Sequence, residues 1–406
     1  MDINIKNTGK QLLNKVPEVT LFFWIIKVLC TTVGETFADF LNVNLGFGLT
    51  GTSITMGVLL AIALFFQFKE KKYIPAIYWT TVVFISVFGT LVTDNLTDKM
   101  GIRLETSTII FSILLLLTFV LWYLNEKTLS IHSIFTKRRE LFYWLTILFT
   151  FALGTASGDL MAEGLGLGYL NTGIIVATVI AIVIVAQKLK LNPVLSFWII
   201  YIMTRPLGAS IGDFLSQPTK YGGLGLGATL TSVIFLIGIL AIILYFTFTK
   251  RDIITNMIME EKQNIEGKGL IWQSLITVSL FVVVGLSAYF WRHNQLHNEI
   301  SQPPTSNYTS IQNSPSSTLG DLSIFKKITE DTREMVVANN IDGAKTRITD
   351  LEHEWDNAQV KLKAMNGAKW TKVDDAIDKV LRQLRAVNPV QTGCKSSLDA
   401  LLDELK

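Results

Sequence analysis

The 406 residues are 50% hydrophobic and only 17% charged, well below the roughly 25% charge of an ordinary soluble chain. Thirty-six Lys and Arg stand against 33 Asp and Glu, a formal net charge of +3, too near balance for a nucleic-acid binder. Long apolar runs crowd into residues 1–292 and the rest is ordinarily polar, which excludes both one soluble globule and simple disorder.

About 20 apolar residues cross the hydrocarbon core of a bilayer as a helix. After an N-terminal segment, 1–18, nine stretches qualify as spans: 19–38, 50–68, 75–94, 106–124, 141–159, 169–187, 194–213, 227–249 and 270–291. No small-residue cleavage pattern follows the first, so it reads as a retained span. Two cysteines, Cys30 and Cys394, build no disulfide framework, and Cys30 reads as a packing residue.

Lys and Arg in the short connections set the orientation. The N-terminus and every second loop carry sixteen, from Lys6, Lys10 and Lys15 to Lys262 and Lys268. The opposite loops before the ninth span carry three: Lys99, Arg103 and Lys220. The N-terminus is therefore expected in the cytoplasm and the tail beyond the ninth span outside.

Four segments align as Trp, nine residues, Gly, four residues, Asp. The tryptophans are Trp24, Trp79, Trp144 and Trp198, the glycines Gly34, Gly89, Gly154 and Gly208, and the aspartates Asp39, Asp94, Asp159 and Asp213. Downstream come Gly46, Gly101, Gly166 and, after an insertion around QPTKYGG, Gly225. A hydroxyl follows six residues later in each copy: Thr52, Ser107, Thr172 and Thr231. The repeats span 19–74, 75–140, 141–193 and 194–250, each with two helices, so all four share one orientation. The tryptophans read as interfacial anchors. The first glycines read as helix crossings, where small residues let backbones approach in lipid.

Carboxylates recur at i,i+4: Glu35 with Asp39, Asp94 with Asp98, and Asp159 with Glu163, whereas Asp213 is followed by Gln217. Such pairs repel, so protons, a cation or a basic group must offset them. Lys27 and Arg205 are the basic residues inside spans, each two turns before a repeat acid. Ionisable groups at membrane depth face an interior or a wet cavity. Pro206 is expected to kink the seventh span. The glycine-rich stretches at 44–51, 164–169 and 222–227 lack the lysine of a phosphate loop and read as tight turns or helix ends.

A cytoplasmic loop, 251–269, precedes the ninth span, and a polar linker, 292–320, follows it. Residues 321–406 then read as four amphipathic helices, about 322–338, 343–364, 369–387 and 395–405, forming a small antiparallel bundle. His353, Glu354 and Asp356 read as solvated residues of a charged helix.

The fourfold repeat resembles a bacterial family of membrane-anchored proteins of uncharacterised function, with four tandem two-helix repeats that each carry a tryptophan. The resemblance covers roughly residues 15 to 250, and LEHEWDNAQVKLKAMNGAKW resembles the C-terminal region of some members. It implies a location in the bacterial inner membrane and brings no catalytic residues or substrate. The insertion and Gln217 make the fourth repeat divergent.

The expected fold is an all-α polytopic membrane protein: four parallel two-helix repeats, a ninth span and a small periplasmic helical bundle. The expected function is transport or export of a small divalent cation, coupled to protons through intramembrane carboxylates. The candidate ligands are Glu35, Asp39, Asp94, Asp98, Asp159, Glu163 and Asp213, with Lys27 and Arg205 as charge partners and Thr52, Ser107, Thr172 and Thr231 as neutral ligands. No cofactor or nucleic acid is implied, and the tail has room for a periplasmic protein partner. Two other classes fit the composition: an enzyme acting on a lipid-linked substrate, and a structural or sensor protein with a partner-binding tail.

Overall fold

The computed structural model describes residues 14–44, 47–217, 219, 223–252, 272–276, 279, 283, 287, 290, 318–386 and 388–406. Among them there are helices and turns and no β-strand element. Eight helices among the described residues are long and apolar enough to cross a membrane. They are α1 (Leu21–Asp39), α2 (Gly48–Lys69), α3 (Pro75–Asp94), α4 (Leu104–Glu126), α5 (Lys137–Asp159), α6 (Gly168–Lys188), α7 (Pro193–Ser216) and α8 (Gly227–Thr249). The expected ninth span, 270–291, lies more than half outside the described residues, those described within it (272–276, 279, 283, 287 and 290) being helical; residues 1–13, the loop 253–271 and most of the linker lie outside.

Helix starts follow local chemistry. Thr20 and Thr136 accept hydrogen bonds from Phe23 N and Arg139 N, and Asn192 caps α7 through Val194 N and Leu195 N. Pro75 and Pro193 occupy first turns, where a missing N–H costs nothing. Between the helices of each pair the chain must reverse sharply. Gly101, Gly166 and Gly225 take left-handed φ of 67°, 66° and 74° there, which a side chain would strain.

The odd helices form a closed inner ring: α1 meets α3, α3 meets α5, α5 meets α7, and α7 returns to α1. Each even helix packs outside, chiefly on the inner helix of the following repeat: α2 on α3, α4 on α5, α6 on α7 and α8 back on α1. Burial separates the two sets. Between 56% and 67% of the apolar window is buried in the inner helices, against 17% to 28% in the outer ones. The outer helices turn Ile54, Ile113, Ile182 and Ile237 outward, as lipid requires.

The repeat glycines sit at the ring contacts. A Cβ on Gly34 would overlap Ser86, one on Gly89 Phe151, one on Gly154 Arg205, and one on Gly208 Thr31. Each partner lies three residues before the glycine of its own repeat. One register rule is thus applied four times and closes on itself.

The tryptophans correct the anchoring expectation. Trp79, Trp144 and Trp198 are buried and Trp24 is half-buried. Trp79, Trp144 and Trp198 pack with Tyr78, Tyr143 and Tyr201 into an aromatic layer inside the ring, near the face where α1 begins, and Trp24 packs on Phe23 and Phe197 at its edge. Trp79 Nε1 donates to Tyr73 Oη at 3.1 Å and Trp198 Nε1 to Leu129 O at 3.0 Å. The bilayer interface has no claim on an indole that finds its acceptor within the fold.

At the far end three inner helices widen into a π-helical turn: Phe40–Asn44, Asn95–Lys99 and Leu160–Gly164. The fourth has none, and α7 runs to Ser216 before the inserted segment. Beyond this end lie α9 (Ser323–Val337), α10 (Ile341–Arg385) and α11 (Gln391–Glu404). α10 breaks at Asn366, which leaves helical dihedrals, and its two arms fold back on each other. Trp355 stacks on Trp370 and Arg385 reaches Glu352 across the arms. Ile348, Val373, Leu384 and Leu398 share the core of this unit.

The ring contacts predict a graded response to added methyl groups. Gly154→Ala forces a Cβ into Arg205 and is expected to cost about 1–3 kcal/mol through overpacking. Gly238→Ala on α8 meets Leu29 at an ordinary 3.5 Å and is expected to be neutral or stabilising. Thermal unfolding of both variants in detergent checks the contrast.

Candidate functional site

The inner ring brings one chemically distinct residue to its centre. Arg205 occupies the position that Thr31, Ser86 and Phe151 hold in the other repeats, and its side chain is fully buried. A guanidinium must find acceptors for its fork of donors. It finds them in all three other repeats: Thr31 O at 3.2 Å, Glu35 Oε2 at 2.5 Å, Thr155 Oγ1 at 2.8 Å, and Thr90 Oγ1. Glu35, Thr90 and Thr155 are themselves equivalent, each directly after its repeat glycine. The glycine brings the backbones close, and the next residue faces the centre.

Above this layer opens a cavity of about 780 Å³. The inner helices contribute Glu35, Asp39, Asp94, Asp98, Asp159, Glu163 and Asp213, so all seven candidate carboxylates line it. The tail forms the opposite wall and adds Glu352, Asp356, Asp374 and Asp378. Eleven carboxylates face one arginine, Arg385, among the lining residues. Ser216 and Gln217 represent the fourth repeat where the others place their second acid.

The tail is fixed to the ring by specific contacts. Lys363 Nζ donates to Thr97 O at 2.9 Å and to Asp98 Oδ1 at 3.2 Å, and Gln359 Nε2 donates to Asp98 Oδ1 at 3.2 Å. The turn at Gly101 lies against Gly367 and Thr371. Within the wall, Trp355 Nε1 donates to Asp374 Oδ1 at 2.9 Å, and Arg382 pairs with Asp378 at 3.2 Å. Burial pushes the Asp378 carboxyl up to about 6; Arg382 opposes the rise, and Glu352 and Asp98 add to it. Asp374 is raised well above the usual carboxylate range by burial and then by the Asp98 charge.

Below the Arg205 layer the ring is closed. Lys27 Nζ lies 3.8 Å from the Phe151 ring centroid and 4.2 Å from that of Tyr201, with no hydrogen-bond acceptor among the described residues. Its expected partnership with Glu35 is therefore replaced by aromatic faces, which can hold a desolvated ammonium. Next comes the aromatic layer, where the hydroxyls of Tyr78 and Tyr143 hydrogen-bond to each other. Lys15 then crosses the end of the ring and pairs with buried Glu140 at 2.5 Å.

The four repeat hydroxyls are not brought to the cavity. Thr52, Ser107, Thr172 and Thr231 are buried on the outer helices, without a hydrogen-bond partner among the described residues, and none lines it. The carboxylates also stand apart from one another. Among the described residues no three His, Cys, Asp or Glu side chains converge closely enough to hold a metal ion. A closed divalent-cation shell would need such convergence.

Some of the site escaped the sequence reading. Thr90 and Thr155 are hydroxyls like many others until the repeats are aligned one residue past the glycine. The tail acids are spaced to share helix faces, Glu352 with Asp356 and Asp374 with Asp378, but nothing local says that those faces meet the membrane domain. His353 and Asp356 also line the cavity, where Asp356 is solvent-exposed and His353 half-buried.

No curated protein and no solved structure matches the chain. Four consecutive stretches, residues 22–73, 77–128, 142–190 and 196–252, match the family described as Repeat of Unknown Function (DUF347), and together they cover just over half of the sequence. Each match takes in one inner helix, its glycine and aspartate, and the outer helix that follows, so the chain belongs to this repeat family.

Proposed function

We propose that this protein carries a small cation across the membrane by way of the acidic cavity. The observation that supports this reading most is the acidic excess of the cavity of about 780 Å³: eleven carboxylates line it with Arg385, and Arg205, Lys363 and Arg382 pair from behind with three of them, Glu35, Asp98 and Asp378. A cleft lined by one sign of charge and walled by low-dielectric protein concentrates counter-ions. The absence of convergent donors among the described residues favours a cation held by the summed field over one stripped into a tight shell. The expected divalent metal is thus the weaker candidate, and a hydrated or organic cation the stronger.

The basic bias of the N-terminal face supports a cytoplasmic N-terminus, which makes the tail-covered end the periplasmic one. Asp252 and Leu319 flank the ninth segment and sit with opposite ends of the ring, as a ninth crossing requires. In this arrangement the cavity communicates with the periplasmic side and is sealed toward the cytoplasm by Arg205, Lys27 and the aromatic layer. Passage requires Arg205 to leave the centre and Glu35 to exchange its guanidinium for the cargo. Proton coupling follows from the same chemistry, since a carboxylate holds a proton or a cation but not both.

Two measurements test the reading. Liposomes containing the purified protein are expected to take up monovalent and organic cations against a pH gradient. Asp94→Asn, which breaks no ion pair, is expected to lower uptake about tenfold, the loss of roughly 1.4 kcal/mol of attraction. Glu35→Gln is expected to abolish it, and because it strands buried Arg205 its thermal profile is read alongside. Equal uptake in all samples and in empty vesicles overturns the proposal. The second is proton release on cation binding. Asp378 is partly protonated near pH 6, and a cation beside it favours the ionised form. Adding cation in weak buffer at pH 6 is expected to acidify the solution. At pH 8 Asp378 is already ionised and adds nothing, and Asp378→Asn is expected to shrink the release at pH 6.

A further inference from the structure

One position just behind the cavity lining already holds an ammonium group. Lys363 reaches from the tail to the end of α3 with a side chain only 3% exposed. Its Nζ has two oxygen acceptors, Thr97 O at 2.9 Å and Asp98 Oδ1 at 3.2 Å. Its third side is the face of Trp370, 3.8 Å from Nζ to the ring centroid. Trp370 is fixed from behind by Trp355, with centroids 5.8 Å apart and planes 14° from parallel. A carbonyl, a carboxylate and an aromatic face together satisfy a primary ammonium and suit nothing anionic. This cage belongs to the cavity, since Thr97, Asp98, Gln359 and Trp370 all line it.

The remaining carboxylates are distributed, with acids from all four repeats on one wall and from the tail on the other. A compact ion uses convergent oxygens. An elongated cation with several separated charges uses distributed ones, and the volume lies within the usual range for small-molecule sites, about 300–1,000 Å³.

We propose that the cation is a linear organic polyamine, and that Lys363 occupies the place of one of its ammonium groups as a tethered competitor. The inference rests on the cation-carrier reading for the use of the cavity, but it concerns binding and is tested by binding. If Lys363 fills the cage about nine-tenths of the time, free ligand sees one-tenth of the sites and its apparent affinity falls about tenfold.

The test uses the full chain in detergent with spermidine as probe and manganese as the metal control. By calorimetry, Lys363→Ala is expected to tighten spermidine binding about tenfold and leave manganese unchanged. Asp98→Asn is expected to weaken spermidine in both backgrounds, and Lys369→Ala, which removes a pair with Glu404 elsewhere in the tail, is expected to have no effect. A second measurement needs no variant: spermidine is expected to raise acetylation of Lys363 in the wild-type chain severalfold, read by mass spectrometry, while manganese does not. Unchanged affinity in Lys363→Ala together with unchanged labelling overturns the inference. Spermidine binding with these signatures but without flux would support the cage and remove the carrier reading. Flux of other cations with no spermidine binding would remove the cage alone.

Discussion

A guanidinium buried at membrane depth, with acceptors from three separate repeats, is the constraint on which the rest of the structure depends. Arg205 on an isolated helix would cost a few kcal/mol at the bilayer centre. Here Thr31, Glu35, Thr90 and Thr155 meet it only if the four inner helices stand in one register. The interaction therefore works as a registry device as much as a source of stability. Removing Glu35 would leave an uncompensated charge, which costs far more than the intact pair contributes.

Duplication explains the ring, and departure from duplication explains its chemistry. Each glycine admits the residue three positions before the next glycine, so four identical contacts generate a closed square. Each outer helix crosses to the neighbouring repeat, and that exchange ties adjacent pairs together where lipid offers no hydrophobic drive. A perfectly repeated sequence would place four equivalent side chains at the centre. Four arginines would repel, and four small residues would leave a hole. One arginine beside one glutamate and two threonines fills the centre, and both terminal nitrogens of the guanidinium find acceptors there.

The repeat, its glycine crossings and its parallel orientation were legible in the sequence because each rests on a spacing that recurs four times. The convergence of the aspartates on one cavity was also legible, since residues at equivalent places in parallel repeats must lie at one depth. Lys27 was misread because helical phase alone cannot tell a carboxylate neighbour from the ring of Phe151 on another helix. The tryptophans were misread because the interfacial preference of indole is a statistical pull, which Tyr73 and Leu129 override by supplying buried acceptors. The tail wall was invisible: Glu352, Asp356, Asp374 and Asp378 carry no mark of the distant acids that they face.

That wall has an electrostatic consequence. From Asp321 to Lys406 the tail carries 15 acidic and 14 basic residues, so it is no general counter-charge for the acidic end of the ring. It presents acids to acids, and Lys363, Arg385, Arg382 and, from the ring, Arg205 each pair with one of them and offset part of the repulsion. Two like-charged walls about a common cavity are held more firmly when something positive lies between them. On the proposed reading, cation occupancy and tail seating would be thermodynamically linked, and the linkage would be reciprocal. Lys363 makes the coupling subtler, because its ammonium supplies part of that positive charge itself. On the proposed reading, a cation entering the cage would replace one contact between tail and ring while neutralising the rest, so a ligand that bridges both walls would keep the tail seated and one that reaches a single wall would loosen it.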